Sequence, residues 1–189
     1  MNLIPIDARA NRYMTQNKFK FVEVDLDKCI GCGICELACS FEKSGFKIFN
    51  VSFSRIRVLR FNTDKNAAIT CRACEKAPCV RACPRDALFQ STNGTIKVDE
   101  SKCIGCCWCI KACKFGCITM HPLKGVALIC DLCEGREESV VFPGRKKTRQ
   151  ACIEWCPEEA LYLATRERVS QKTAETSISI LKISKRNSE

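Results

Sequence analysis

The 189-residue sequence has one histidine, two tyrosines and two tryptophans, and aromatics make up only 7% of it. So little aromatic volume leaves a thin hydrophobic core, so something other than side-chain packing must hold much of the chain together. A lone His121 cannot supply a histidine-based metal site, and no spare histidine is left to pair with a nucleophile. The sequence has no phosphate-binding loop, no dinucleotide fingerprint and no convincing catalytic constellation. No stretch of about 20 apolar residues offers a transmembrane helix. Met1 to Phe19 is polar, without an apolar run or twin arginine, so it reads as a flexible arm rather than a secretory signal. These absences favour a cytoplasmic chain whose chemistry resides in bound groups or in a partner.

Cysteine is abundant, with 18 residues. Sixteen fall into four groups: Cys29, Cys32, Cys35 and Cys39; Cys71, Cys74, Cys79 and Cys83; Cys103, Cys106, Cys109 and Cys113; and Cys130, Cys133, Cys152 and Cys156. Three thiolates at close spacing suit three irons of a four-iron cube, and a fourth, one helical turn further on, serves the other cube of a pair in two-cluster ferredoxins. A disulfide framework would suit a short secreted chain instead. Zinc is the alternative metal, yet it needs only four ligands, usually two Cys-x2-Cys pairs. The first three groups exceed that need, whereas Cys130, Cys133, Cys152 and Cys156 alone would satisfy it. The pattern points to one-electron transfer through [4Fe–4S] clusters, without a substrate site of the chain's own.

The formal charge of +10 at first suggests nucleic-acid binding. Metal-bound thiols are deprotonated, however, and four oxidised cubes with their thiolates carry about −8 in total. That offsets most of the excess, so the basic residues read as counter-charge and no nucleic-acid partner is expected. A zinc-dependent nucleic-acid-binding module is the alternative from another class, favoured only by the uncorrected charge.

Along the chain, Phe19 to Leu26 alternates as a strand would, and Ile34 to Phe41 fits a short helix with Cys35 and Cys39 on one side. Phe53 to Phe61 is a second strand candidate. Ala87 to Gln90, a turn at Asn93-Gly94, and Thr95 to Val98 predict a hairpin. Ile118 to Met120 and Val126 to Ile129 read as short strands, and Glu134 to Gln150 as an exposed loop. Residues 164–189 read as a tail with a weak apolar stripe at Ile178, Ile180, Leu181 and Ile183. Asp25 to Cys32 is echoed by Asp99 to Cys106, which implies duplicated units. Gly31 and Gly105 suit loops whose backbone approaches the sulfides. Pro84 and Pro157 follow a fourth-position cysteine, as bacterial ferredoxins expect, whereas Ser40 and Lys114 replace it elsewhere.

With the fourth cysteine of each group crossing over, cube three takes Cys71, Cys74, Cys79 and Cys113, and cube four takes Cys83, Cys103, Cys106 and Cys109. Cube one then takes Cys29, Cys32, Cys35 and Cys156, and cube two takes Cys39, Cys130, Cys133 and Cys152. Spacing alone leaves open a pairing of groups one and two instead. The fold class expected is α+β: two nested two-cluster ferredoxin-like units with short strands, short helices and long loops. Residues 20–70 plus 121–163 form the first unit, 71–120 the inserted second, 1–19 the arm and 164–189 the tail. Cys107 and Cys117 are surplus, with Cys107 pointing away from its cube. Trp108 and Trp155 are expected to pack over cubes, and His121 to be structural or exposed rather than a ligand.

The four groups, the second reading Cys71-Arg-Ala-Cys74-Glu-Lys-Ala-Pro-Cys79-Val-Arg-Ala-Cys83-Pro84, resemble the four-cluster iron–sulfur subunits of dimethyl sulfoxide reductase-type complexes and formate dehydrogenases. The same module accompanies formate hydrogenlyase and carbon monoxide dehydrogenase. Cys35-Glu-Leu-Ala-Cys39-Ser-Phe41 with Ser54-Arg-Ile-Arg-Val58 is similar to electron-transfer subunits beside aldehyde:ferredoxin oxidoreductase-type tungsten enzymes, including class II benzoyl-CoA reductases. The resemblance implies a catalytic subunit with tungsten or molybdenum pterin nearest cube one. A flavoprotein, ferredoxin or other redox subunit would meet the chain beyond the distal cube four. A hydrogenase or carbon monoxide dehydrogenase is the alternative partner.

Overall fold

A computed structural model of the chain describes residues 19–61, 65–136 and 148–175. The arm, save for Phe19, lies outside these residues, as do most of the 134–150 loop and the stripe at 178–183. The described chain mixes short helices and short strands, and its strands pair only two by two.

β1 (Phe21–Val24) pairs antiparallel with β8 (Leu161–Ala164), with Val22 opposite Leu163. All four β1 residues are buried, in place of the alternation read from the sequence. Glu23 is tolerated there because Arg72 forms an ion pair with it and the Val24 N–H donates to it; the Arg72 guanidinium also sits over the Phe21 ring. α1 (Ile34–Lys43) runs two residues past the helix expected. After the 3-10 turn Val51–Phe53, β2 (Arg57–Phe61) forms a hairpin with β3 (Lys65–Ile69). β2 is therefore only the second half of the strand expected from Phe53.

α2 (Pro78–Arg81) precedes β4 (Leu88–Gln90) and β5 (Ile96–Val98), whose antiparallel register sets Leu88 opposite Val98. Gly94 in their turn has φ +87°, and a Cβ there would meet the Phe19 ring at 2.3 Å, so glycine is required. α3 (Trp108–Ala112) is followed by β6 (Thr119–Met120) and β7 (Ala127–Leu128), which pair with each other. α4 (Ala151–Glu154) then leads to β8. Residues 166–175, expected as tail, are helical, and Lys172 of this helix reaches Asp25 after β1 at 3.2 Å.

Two buried clusters form the core. One joins Val22, Val24, Ile56 and Ala68 to Ala160 and Leu161 at the far end of the chain, together with Cys35, Cys39, Cys152 and Cys156. The other joins Ala87, Leu88, Ile96, Ile118, Ala127 and Ile129 with Cys79 and Cys109. In both, cysteine sulfurs fill positions that aliphatic side chains occupy in an ordinary core, as the scarcity of aromatics requires.

Candidate iron–sulfur sites

The backbone repeats with the cysteines. In all four groups the residue before the second cysteine takes a positive φ: Gly31 at 70°, Ala73 at 44°, Gly105 at 71° and Leu132 at 56°. This left-handed residue turns the chain so that both flanking cysteines face one side. At Gly105 a Cβ would come within 2.5 Å of the Gly125 carbonyl oxygen, so that loop also packs backbone to backbone.

The residue after the second cysteine is left-handed too in groups one and three: Gly33 at 79° and Cys107 at 63°. Each is the N-cap of the helix that follows. Cys107 thus occupies the place of a glycine, and its Sγ lies 3.3 Å from the Gly105 carbonyl oxygen.

A third repeat follows the fourth cysteine. Asp86, Gly116 and Glu159 stand three residues beyond Cys83, Cys113 and Cys156, all with positive φ. This bend aims the next N–H back at the sulfur: Ala87 donates to Cys83 Sγ at 3.3 Å, Ala160 donates to Cys156 Sγ at 3.3 Å, and the Cys117 N–H lies against Cys113. Group one departs from this pattern. Ser40 in place of proline lets α1 continue through Cys39, and the N–H reaching the Cys39 sulfur comes from Arg55, at 3.3 Å. Ser40 is fully buried and accepts the Asn50 N–H at 3.2 Å while donating to the Leu37 carbonyl at 2.9 Å.

Three cavities receive the sulfurs. One is lined by Cys29, Cys32, Cys35 and Cys156 with Val58, Ala68 and Leu161. A second is lined by Cys71, Cys74, Cys79 and Cys113 with Ile96, Ile118 and the surplus Cys117. Cys83, Cys103, Cys106 and Cys109 line the third, beside Cys107 and Leu88. The remaining four sit together: Cys130 feels Cys39 and Cys133, and Cys152 feels Cys130, Cys39 and Cys133. Cys156 faces the first cavity, so the four sulfurs of the last group do not share one site.

Burial dominates the thiol electrostatics. It pushes Cys35 up to about 12, with help from Glu36 and neighbouring cysteines, Cys71 up to about 12 and Cys109 up to about 11. Cys130, Cys133 and Cys152 are raised by the same cause. Such thiols ionise only against a nearby positive charge, which iron supplies. Cys113 moves the other way, held down to about 5 by the Cys117 thiol and then by backbone N–H groups. Cys117 is buried and also approaches the Thr70 carbonyl at 2.7 Å. Four thiols, apolar walls and converging N–H groups fit a [4Fe–4S] cluster. Among the described residues no three or more His, Cys, Asp or Glu are set to hold a single metal ion.

Neighbouring residues that sequence reading missed fix these loops. Asp131 accepts from Lys43 at 2.8 Å and Arg55 at 2.6 Å, and takes the Cys133 N–H at 3.1 Å. Trp155 lies near Phe41 and Phe49, whereas Trp108 is 60% exposed rather than packed inward. His121 is structural: its Nδ1 accepts the Leu123 and Lys124 N–H groups. Among the described residues no helix is long and apolar enough to cross a membrane.

These sites define an iron–sulfur protein. Residues 65–166 match the 4Fe-4S dicluster domain, and residues 21–43 a 4Fe-4S binding domain; the chain belongs to the 4Fe-4S dicluster domain family. It is 36% identical over 149 residues to the thiosulfate reductase electron transfer subunit PhsB of Salmonella typhi, covering 72% of this chain and 71% of that one. With the electron transport protein HydN of Escherichia coli it shares 31% over 176 residues, covering 82% and 94%. The polyferredoxin-like subunit of aliphatic sulfonate oxidoreductase of Pyrococcus furiosus is 42% identical over 115 residues, covering 60% and 65%. In the longer Escherichia coli proteins AegA and UacF the chain spans only 22% and 21% of the length. Among solved structures it is similar to the active site complex BamBC of benzoyl-CoA reductase, at 25% identity and TM-score 0.43, covering 84% of this chain and 88% of that one.

Proposed function

We propose that the chain is a cytoplasmic electron-transfer subunit with four [4Fe–4S] clusters, linking a tungsten- or molybdenum-pterin catalytic subunit of aldehyde oxidoreductase-like type to a flavoprotein, ferredoxin or other redox subunit. The observation that carries this reading is the lining of the three cavities: each gathers three cysteines of one group and a fourth from another. Cube one is held by Cys29, Cys32, Cys35 and Cys156, cube two by Cys39, Cys130, Cys133 and Cys152, cube three by Cys71, Cys74, Cys79 and Cys113, and cube four by Cys83, Cys103, Cys106 and Cys109. The two buried clusters support nested units, the inserted one running to about Ile129, since Ala127 and Ile129 pack with Leu88 and Ile96.

When bound, such clusters supply one-electron redox chemistry over a wide range of potential. The protein holds the thiolates, keeps water out with Val58, Ala68, Ile96 and Ile118, and directs N–H groups at Cys39, Cys83, Cys113 and Cys156. PhsB and the Pyrococcus furiosus protein are named as subunits of oxidoreductases, which supports a role beside a catalytic partner. The docking face is the patch where Phe46 and Phe49 are 60% and 56% exposed, with Phe49 stacked on Phe41 at 4.1 Å next to the cube-one and cube-two cysteines. Exposed aromatics gathered in this way suit a protein interface.

Anaerobic purification tests the reading. A brown protein with about 16 irons and as much labile sulfide per chain is expected, co-purifying with a subunit that contains tungsten or molybdenum. A colourless zinc protein would overturn it.

A further inference from the structure

We propose that an open groove beside Cys74 docks an acidic one-electron carrier protein, giving the chain a lateral electron port at cube three. This inference rests on the reading of Cys71, Cys74, Cys79 and Cys113 as cluster ligands.

The groove lies between the second cysteine loop, β1 and the 166–175 helix. It opens directly onto the cube-three cavity, with which it shares Arg72, Cys74, Pro78, Lys114 and Phe115. A ligand sulfur at its floor brings a docked partner close to the cluster position. Phe21, Pro78, Phe115 and Val169 supply apolar surface, and Phe115 is half exposed.

Charge selects the occupant. Five cations surround the groove (Arg72, Lys76, Arg81, Lys114 and Arg166) against Glu23 and Glu75. Glu23 is taken by Arg72, and Arg166 donates to the Ala73 carbonyl. Lys76, Arg81 and Lys114 are exposed, and among the described residues nothing pairs with them. Exposed cations gathered around an aromatic, beyond those paired within the protein, attract an anionic protein surface. Residues 1–18 and 176–189 do not supply that charge. Residues 1–18 hold Arg9, Arg12 and Lys18 against Asp7, and residues 176–189 hold Lys182, Lys185 and Arg186 against Glu189. An acidic protein such as a ferredoxin or flavodoxin matches both the charge and the apolar centre. In each encounter the carrier loses one electron and cube three gains it, or the reverse, with no bond made or broken.

The test is stopped-flow reduction of the oxidised holoprotein by a reduced acidic two-cluster ferredoxin at low ionic strength. The triple variant Lys76→Glu, Arg81→Glu, Lys114→Glu is compared with an equal charge change elsewhere: Lys28→Glu, Lys102→Glu, Lys111→Glu. Because electrostatic steering alters association rates by about 10- to 1000-fold, the groove triple should slow the reaction at least about tenfold. The second triple should change it less than about twofold, and high salt should remove the difference. Equal slowing by both triples, or slowing by the second alone, overturns the port. Reduction of every variant by dithionite, with full iron content, separates that outcome from failure of the electron-transfer reading itself, in which the wild-type protein would hold no reducible iron.

Discussion

Arg136 donates through Nη2 to Glu154 at 2.9 Å and through Nε to Glu42 at 2.8 Å, with the Arg136 side chain 7% exposed and that of Glu154 only 1%. One guanidinium thereby joins the loop carrying Cys130 and Cys133, the helix carrying Cys152, and the end of the helix carrying Cys39. These three segments bear all four cysteines assigned to cube two. Its remaining nitrogen, Nη1, donates to the Thr148 and Arg149 carbonyls, so the planar fork is used on several sides.

Arg136→Ala should therefore cost about 3–5 kcal/mol, because it removes the guanidinium shared by the buried Glu154 and the partly buried Glu42. Arg136→Lys should recover only part of this, since an ammonium cannot span both carboxylates. Anaerobic urea titration, followed by loss of the visible cluster absorbance, measures both. An unchanged midpoint for the alanine variant would remove Arg136 from the role argued for it.

The two positions that lack the motif proline should respond very differently to restoring it. At Ser40 the helix continues through Cys39, and the buried hydroxyl holds the Asn50 N–H. Ser40→Pro removes a helical hydrogen bond and clashes with the preceding turn, costing about 3 kcal/mol or more. At Lys114 the helix has already ended at Ala112, and Cys113 is extended with ψ 103°, as a residue before proline prefers. Lys114→Pro should shift stability by less than about 1 kcal/mol. Thermal bleaching of the two holoproteins compares them.

Much of this was legible in the sequence, for definite reasons. Cysteine spacing is local, so the four loops and the helix carrying Cys35 and Cys39 could be read directly. So could the hairpin, because Asn93-Gly94 is a local turn signal. β3 was missed because Lys-Asn-Ala-Ala-Ile has neither alternation nor β-branched residues before its end, and pairing with β2 decides its conformation. The 166–175 helix was missed because its sequence is almost wholly polar, with no apolar stripe to reveal its period. Besides local bonds, Ser40 reaches Ile48, 8 residues away, and Arg136 reaches Glu42, 94 away, while Asp131 binds Arg55 and Lys43 from an earlier segment; over such separations sequence spacing carries no signal. Trp108 was expected to pack inward because it precedes a ligand, yet as the first residue of α3 its side chain stands in solvent.

Cys107 provides a test of the backbone repeat. It takes the left-handed conformation that Gly33 takes in group one, at a cost of roughly 1–2 kcal/mol for a residue with a Cβ. Cys107→Gly should keep all the iron and raise stability by about 1 kcal/mol. Cys106→Ser, by contrast, should give a three-iron signal or a loosely held cluster. Iron analysis with electron paramagnetic resonance reads both variants. Loss of iron in the Cys107 variant, with the Cys106 variant intact, would reverse the ligand assignment.

The crossing of Cys39 and Cys156 is the most consequential assignment, because it determines whether the two ends of the chain must meet before either cluster can be held. Cys39 lies four residues after Cys35 on α1, near enough that Cys152 feels both sulfurs, yet only Cys35 lines the cavity with Cys29, Cys32 and Cys156. The helix Ile34–Lys43 thus divides its two cysteines between two sites, as do Cys152 in α4 and Cys156 just beyond it. Cys39→Ser should perturb the cluster held by Cys130, Cys133 and Cys152, and Cys156→Ser the one held by Cys29, Cys32 and Cys35. Because each site then keeps three thiolates, the expected outcome is a selective change in one cluster's resonance and potential, not loss of all iron. Truncation before Ala151 is more severe: it removes Cys152 and Cys156 together and should weaken both sites while sparing the two in the segment from Cys71 to Ile129. Cluster-resolved redox titration of the three variants decides the matter. A Cys39→Ser protein whose altered cluster is the one bound by Cys29 would show that the first group closes on itself, and the pairing of the first and last groups would fall.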